Sequence, residues 1–291
     1  MRPAEFEEKD FEGPLYNQLL GASNNLATPG QVFEGKFGID AALEATHPVF
    51  WDAFGYPHIP GGVVLADFNW GWIWRKLGRV RQLPNFAVNL LLQAKRPDRL
   101  NGSNAELTKH GIKRGYWRFR INQHQHTLLD RITHKLGNRA LVTYASTAFD
   151  TFNELYDYTE QGTIVEHASF VKVRRMNGHS DWNFDEPGRR GIATSKPEPI
   201  DDPPLGSEID RVAARSTDQA ALETLESFYN SVVGVLRENA EGNATAAFLI
   251  RRHELISSVV SDLGVTRREI LPFVTLGNIF SHLNLDWFVI G

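Results

Sequence analysis

Residues 85–95, NFAVNLLLQAK, constrain the fold more than any other stretch. In a strand, residues two apart share a face. Asn89, Leu91, Gln93 and Lys95 then point one way, and Leu90, Leu92 and Ala94 the other. A strand that is apolar on both faces needs strand neighbours at its edges and helices over both sides. That is the setting of a central strand in an α/β sheet. The run ends abruptly in Gln93-Ala94-Lys95, which places two polar groups on one face at the rim of the core.

Strands and helices alternate around this run. A helix is expected over about 30–45, strand over GVVLADFNWGWIWRKLG, a further strand in RGYWRFRI, and a helix in NQHQHTLLDRITHKLGN stopped by Gly137. RALVTYAS reads as strand, TAFDTFNELYDYTEQG as helix and TIVEHASFVKVRRM as strand. This order indicates an α/β domain. The division that follows is an acidic N-terminal arm over 1–28, an α/β domain over 29–185, a Pro/Gly-rich linker or loop over 186–208, and a mainly helical C-terminal region over 209–291.

Composition narrows the class. With 42% hydrophobic and 23% charged residues among 291, a packed core is expected and global disorder is not. Cysteine is absent, which excludes disulfides and thiolate metal sites and fits a reducing cytoplasm. The start, MRPAEFEEKDFEG, lacks the apolar segment of a secretory signal. No apolar run reaches the roughly 18 residues of a membrane span, so no membrane partner is expected. The net charge is −4, yet residues 95–120 carry eight Lys or Arg against Asp98 and Glu106, a local excess of six positive charges. Such a patch fits phosphate; a solvated surface is the plainer alternative.

The polar strand end carries the chemistry. GGVVLAD is a second apolar strand that ends in a carboxylate, Asp67. If the two strands pair, Asp67, Gln93 and Lys95 converge at one rim. A carboxylate and an amide oxygen suit Mg²⁺, with Mn²⁺ as a substitute, and a lysine beside them orients an attacking water.

This arrangement resembles the PD-(D/E)xK nuclease superfamily, in which one strand ends near an aspartate and the next carries a Glu-x-Lys or Gln-x-Lys pair. The resemblance covers about residues 30–146. It implies a restriction-endonuclease-like mixed sheet flanked by helices, and Mg²⁺-dependent hydrolysis of nucleic acid, DNA favoured over RNA. Asp67 matches the first acid, Gln93-Ala94-Lys95 the second element, and Glu34 the helical acid. Asp67 and Gln93 would hold the metal, with the Ala94 carbonyl as a further ligand, and Lys95 would act on the water. Arg96, Arg99, Lys113, Arg114, Arg118 and Arg120 would hold backbone phosphates. The C-terminal region would form a homo-oligomer or dock a protein. The family alone points to prokaryotic, antiviral defence. The chain departs from the pattern in its uncharged glutamine, in LAD where PD is usual, and in the long interval from 67 to 93.

Other motifs are weaker. GQVFEGKF (Gly30 to Phe37) lacks the Ser/Thr and the preceding strand of a phosphate loop. His124 and His126 diverge on a helix, so a shared metal is disfavoured. Phe68, Trp70, Trp72 and Trp74 form either one packed face or a stacking platform. DLGVTRREILPFVTLGNIF has the outline of a helix-turn-helix, with Pro272 expected to interrupt its second helix. Two alternatives stand beside the nuclease: an inactive protein of the same fold that binds nucleic acid or a protein, and an unrelated α/β protein with a small-ligand pocket lined by the aromatic strand.

Overall fold

The structure, a computed structural model, describes residues 1–19, 88–113, 115–214, 221–262 and 268–290. The expected helix over 30–45, the strand ending at Asp67 and the alternating aromatics at 68–74 lie outside the described residues. The described residues form a mixed α/β fold with two sheets.

The element order begins with β1 (Arg2–Pro3), α1 (Glu8–Leu19), β2 (Val88–Ala94), β3 (Asp98–Leu100), α2 (Ala105–Lys109) and β4 (Tyr116–Arg120). It continues through α3 (Gln123–Leu136), β5 (Ala140–Thr147), α4 (Phe152–Gln161), β6 (Ala168–Lys172), β7 (Asp181–Phe184), β8 (Arg190–Thr194) and β9 (Glu198–Asp201). Four helices and a last strand follow: α5 (Leu205–Ala213), α6 (Ala221–Asn239), α7 (Ala244–Asp262), α8 (Ile270–His282) and β10 (Asp286–Ile290).

One sheet has the order β10-β2-β5-β6, the other β1-β3-β4-β7-β8-β9. In the four-stranded sheet β2 and β5 run parallel, with Asn89 opposite Ala140 and Ala94 opposite Ala145. β10 and β6 flank them antiparallel. The six-stranded sheet is antiparallel throughout.

The central position read from residues 85–95 holds, and burial explains it. Leu91, Val142 and Tyr144 face a core that includes Leu128, Leu129 and Ile132 of α3, Leu225 and Phe228 of α6, and Ile279 and Phe280 of α8. Leu90, Leu92, Leu141 and Ala145 face a second core with Phe11, Leu15 and Tyr16 of α1, Leu155 of α4 and Leu205 of α5. The neighbours of β2 differ from expectation. The Asp67 run was expected beside it; the described residues fill its edges with β5 and with β10, which pairs Asp286 to Leu92 and Ile290 to Val88.

Local signals fix the helix ends. The Asn122 side chain accepts hydrogen bonds from the backbone N–H groups of His124 and Gln125, and Gly137 closes α3 at φ 58°. Thr151 and Glu154 form a reciprocal capping box on α4, which Gly162 ends in the left-handed region.

Three organisational expectations are corrected. Residues 186–208 are not a linker: they carry β8 and β9. Their prolines are compatible because Pro199 lies on the sheet's edge strand, where a missing N–H costs no ladder bond on the open side. Residues 209–291 do not stand apart: α6 and α8 share the core of β2 and β5, and β10 joins their sheet. The N-terminal arm is structured over its described part. β1 pairs with β3, and α1 buries Phe11, Leu15 and Tyr16. Pro272 does not interrupt α8, because it falls in the first turn, where a backbone N–H has no intrahelical partner.

A buried charge network fixes α5 to the sheet. Glu208 accepts from Lys172 at 2.8 Å and from Arg211 at 2.8 Å, while Asp202 pairs with Arg175 at 3.0 Å and Arg189 at 3.3 Å. Burial pushes the Glu208 carboxyl up, but the hydrogen bonds and charges of Arg211 and Lys172 outweigh it and hold the group down at about 2. A carboxyl lowered from 4.5 contributes stability that is complete above its ordinary value and lost as pH falls toward the folded value. Glu208→Gln is therefore expected to melt below wild type at about pH 6, with the gap narrowing by about pH 2.5. Melting curves at the two pH values check this; a gap that does not change with pH rules it out.

Candidate functional site at the end of the central strand

Lys95 follows the last residue of β2. Its N–H donates to the Ala145 carbonyl at 2.8 Å, and its own carbonyl accepts from the Ser146 hydroxyl at 2.6 Å, so the backbone is held on both sides. The side chain is half-buried, with Nζ 6.0 Å from the centre of the Tyr144 ring. Burial lowers the Lys95 pKa, opposed by the charges of Glu8 and Glu12. Both acids stand on α1. Glu8 accepts from the Arg96 N–H at 3.1 Å, and Glu12, 5% exposed, pairs with Lys9 at 2.9 Å. The Lys95 ammonium thus lies within the electrostatic influence of two carboxylates from the N-terminal segment. They were missed because Glu8 and Glu12 merge with the other acids of 1–28; the signal was their i, i+4 spacing on one helix face.

Gln93 has a different surrounding. It is 1% exposed, and its Nε2 donates to the Leu283 carbonyl at 2.7 Å. Gln125 donates to the same oxygen. Leu283 is the residue that ends α8, just before β10. The glutamine therefore ties the central strand to the return of the C-terminal segment. Its strand partner Tyr144 has its hydroxyl 2.9 Å from His126 Nδ1. Burial pushes the Tyr144 hydroxyl up and the His126 ring down, so both are neutral at physiological pH.

The site residues expected from sequence are only partly brought together. Gln93, Ala94 and Lys95 end one strand, with the Ala94 side chain in the core beside Leu90 and Leu92. Asp67 and Glu34 lie outside the described residues. Among the described residues no three His, Asp or Glu side chains gather as metal ligands. His124 is exposed while His126 is buried, in keeping with their divergence.

The basic segment is more neutral in space than in sequence. Arg96 pairs with Glu7 at 2.6 Å and donates to the Ala4 carbonyl at 3.1 Å. Arg99 lies over the Trp117 ring at 4.1 Å. Arg118 lies 3.8 Å from both Asp98 and Asp181, and Arg120 lies 3.4 Å from Asp181. Arg118 and Arg120 do share a face, as their spacing required, but β7 brings an acid to them. Lys113 is exposed, and Arg114 lies outside the described residues. No helix is long and apolar enough to cross a membrane among the described residues. No protein-family model, curated protein or solved structure matches this chain.

Proposed function

We propose that the chain is a metal-dependent nuclease of the PD-(D/E)xK type, with a restriction-endonuclease-like sheet, acting on DNA in preference to RNA. The observation that carries this reading is Lys95 itself: a lysine fixed by its backbone at the end of a buried central strand, its pKa lowered by burial against the opposing charges of Glu8 and Glu12 on α1. The parallel pairing of β2 and β5, joined through β3, α2, β4 and α3, is the framework that presents it.

Carboxylate oxygens are hard donors that suit Mg²⁺. Glu8 and Glu12 are two such donors on one face of α1, already engaged by the Arg96 N–H and by Lys9, and Asp67 and Glu34 are the further acids that the sequence offers. When bound, the metal supplies charge to the phosphoryl oxygens and acidity to a coordinated water. Lys95 holds the attacking water and the developing negative charge, and its lowered pKa brings proton transfer nearer to neutral pH. Gln93 supports the site from beneath by fixing the strand end against Leu283. Arg99, Lys113 and Arg120 are the cations that steer a phosphate backbone, Arg120 being 63% exposed in its side chain.

The engaged amide of Gln93 favours a second reading, a protein of this fold that binds nucleic acid without cutting it. One experiment separates the two. Wild-type protein is incubated with plasmid and with single-stranded RNA, in Mg²⁺ and in EDTA. Loss of the plasmid in Mg²⁺ alone is the expected result. A gel shift without cleavage supports the second reading, and neither shift nor cleavage excludes both.

A further inference from the structure

Helix α7 carries an apolar seam that stays partly exposed, although Phe248 at its start stacks on His282 of α8 at 4.7 Å. Its inner face, with Ala246, Leu249 and His253, is buried. On the outer side Phe248 is 42% exposed, Leu255 66% and Val259 48%. With Arg252 and Asp262 these residues follow spacings of four, three, four and three, the repeat by which one helix lies along another. Over 19 residues the helix is about 28 Å long, enough for such a seam.

Charge selects the occupant and its direction. The first half of α7 carries Arg251 and Arg252; its far end carries Asp262. A second copy laid parallel would set Arg252 against Arg252. Laid antiparallel about Leu255, it sets Asp262 near Phe248 and the arginines, since 248 and 262 are each seven residues from 255. We propose that α7 is a homodimer interface in which two copies pair antiparallel across a two-fold axis at Leu255. This places a second copy on one named helix, independently of the nuclease reading. A single helix pair buries less than the roughly 800 Å² per partner of a standard interface, so the dimer is weak, with a Kd in the order of micromolar.

The chain has no cysteine, so a single introduced thiol reports the geometry cleanly. Sedimentation of the full chain up to about 200 µM is expected to show a mass approaching twice that of one chain. Leu255→Glu is expected to stay monomeric over that range with an unchanged melting temperature, because Leu255 is largely exposed. With oxidised glutathione as oxidant, Leu255→Cys is expected to form a disulfide-linked dimer by itself. Phe248→Cys and Asp262→Cys are expected to cross-link only when mixed. A monomeric wild type without cross-linking overturns the proposal and assigns the seam to another segment of the chain or another protein. Cross-linking of Phe248→Cys to itself overturns the antiparallel arrangement.

Discussion

If the proposed role holds, Lys95→Ala is expected to lower Mg²⁺-dependent cleavage by at least about 100-fold, since it removes both the cation proposed for the scissile phosphate and a group of lowered pKa. Binding of the same DNA should change far less, because binding draws on several cations. Stability should fall little: an amine that is half-buried and opposed by its own desolvation contributes little to packing. Lys95→Arg sharpens the test. Arginine keeps the charge but does not release a proton in the working range, so binding should persist while cleavage stays low. Rates on a labelled duplex, with melting curves of each variant, give the comparison. Cleavage by Lys95→Ala at the wild-type rate would sink the proposed role of Lys95. Cleavage restored fully by Lys95→Arg would assign Lys95 a charge role and remove its role in proton transfer.

The second large effect is expected at Gln93. From sequence alone, Gln93→Glu adds an anion to the metal site and should preserve or strengthen metal binding. The structure adds a stability cost to that substitution. The side chain is buried, and its amide donates to the Leu283 carbonyl, a contact that a carboxylate meets as acceptor against acceptor. Glu must either bury a charge or take up a proton, and the variant is expected to lose about 3 kcal/mol of stability. Denaturant unfolding at neutral pH measures the loss. The same variant should recover stability on mild acidification, as the carboxyl protonates and regains a donor. Wild-type stability together with tighter Mg²⁺ binding would show that Gln93 faces the metal.

The parts legible in the sequence share a cause. β2 and β5 are apolar on both faces, α3 has an asparagine cap and a glycine stop, and α4 has a capping box, so each carries its signal within a few residues. The parts that were not legible depend on distant partners. β8 and β9 read as linker because strand-edge prolines and turn glycines resemble those of a flexible segment. Nothing local in Asp286–Ile290 says that it pairs with residues 88–92. At the site, Lys95 was legible from the strand end, whereas Glu8 and Glu12 needed the fold to bring α1 across. The six-charge excess of 95–120 was overstated for the same reason: Glu7 and Asp181 come from elsewhere in the chain.

The pairing of β10 with β2 sets a timetable for biosynthesis. The central strand leaves the ribosome with residue 94, but the strand that closes one of its edges is complete only at residue 290. At roughly 5–20 residues per second, that edge waits on the order of 10–40 s. Throughout this interval VNLLLQA, a largely apolar strand, presents unpaired backbone groups along that edge to any neighbouring chain. Slower translation is therefore expected to lengthen the exposure of residues 88–94 and to lower the yield of folded chain.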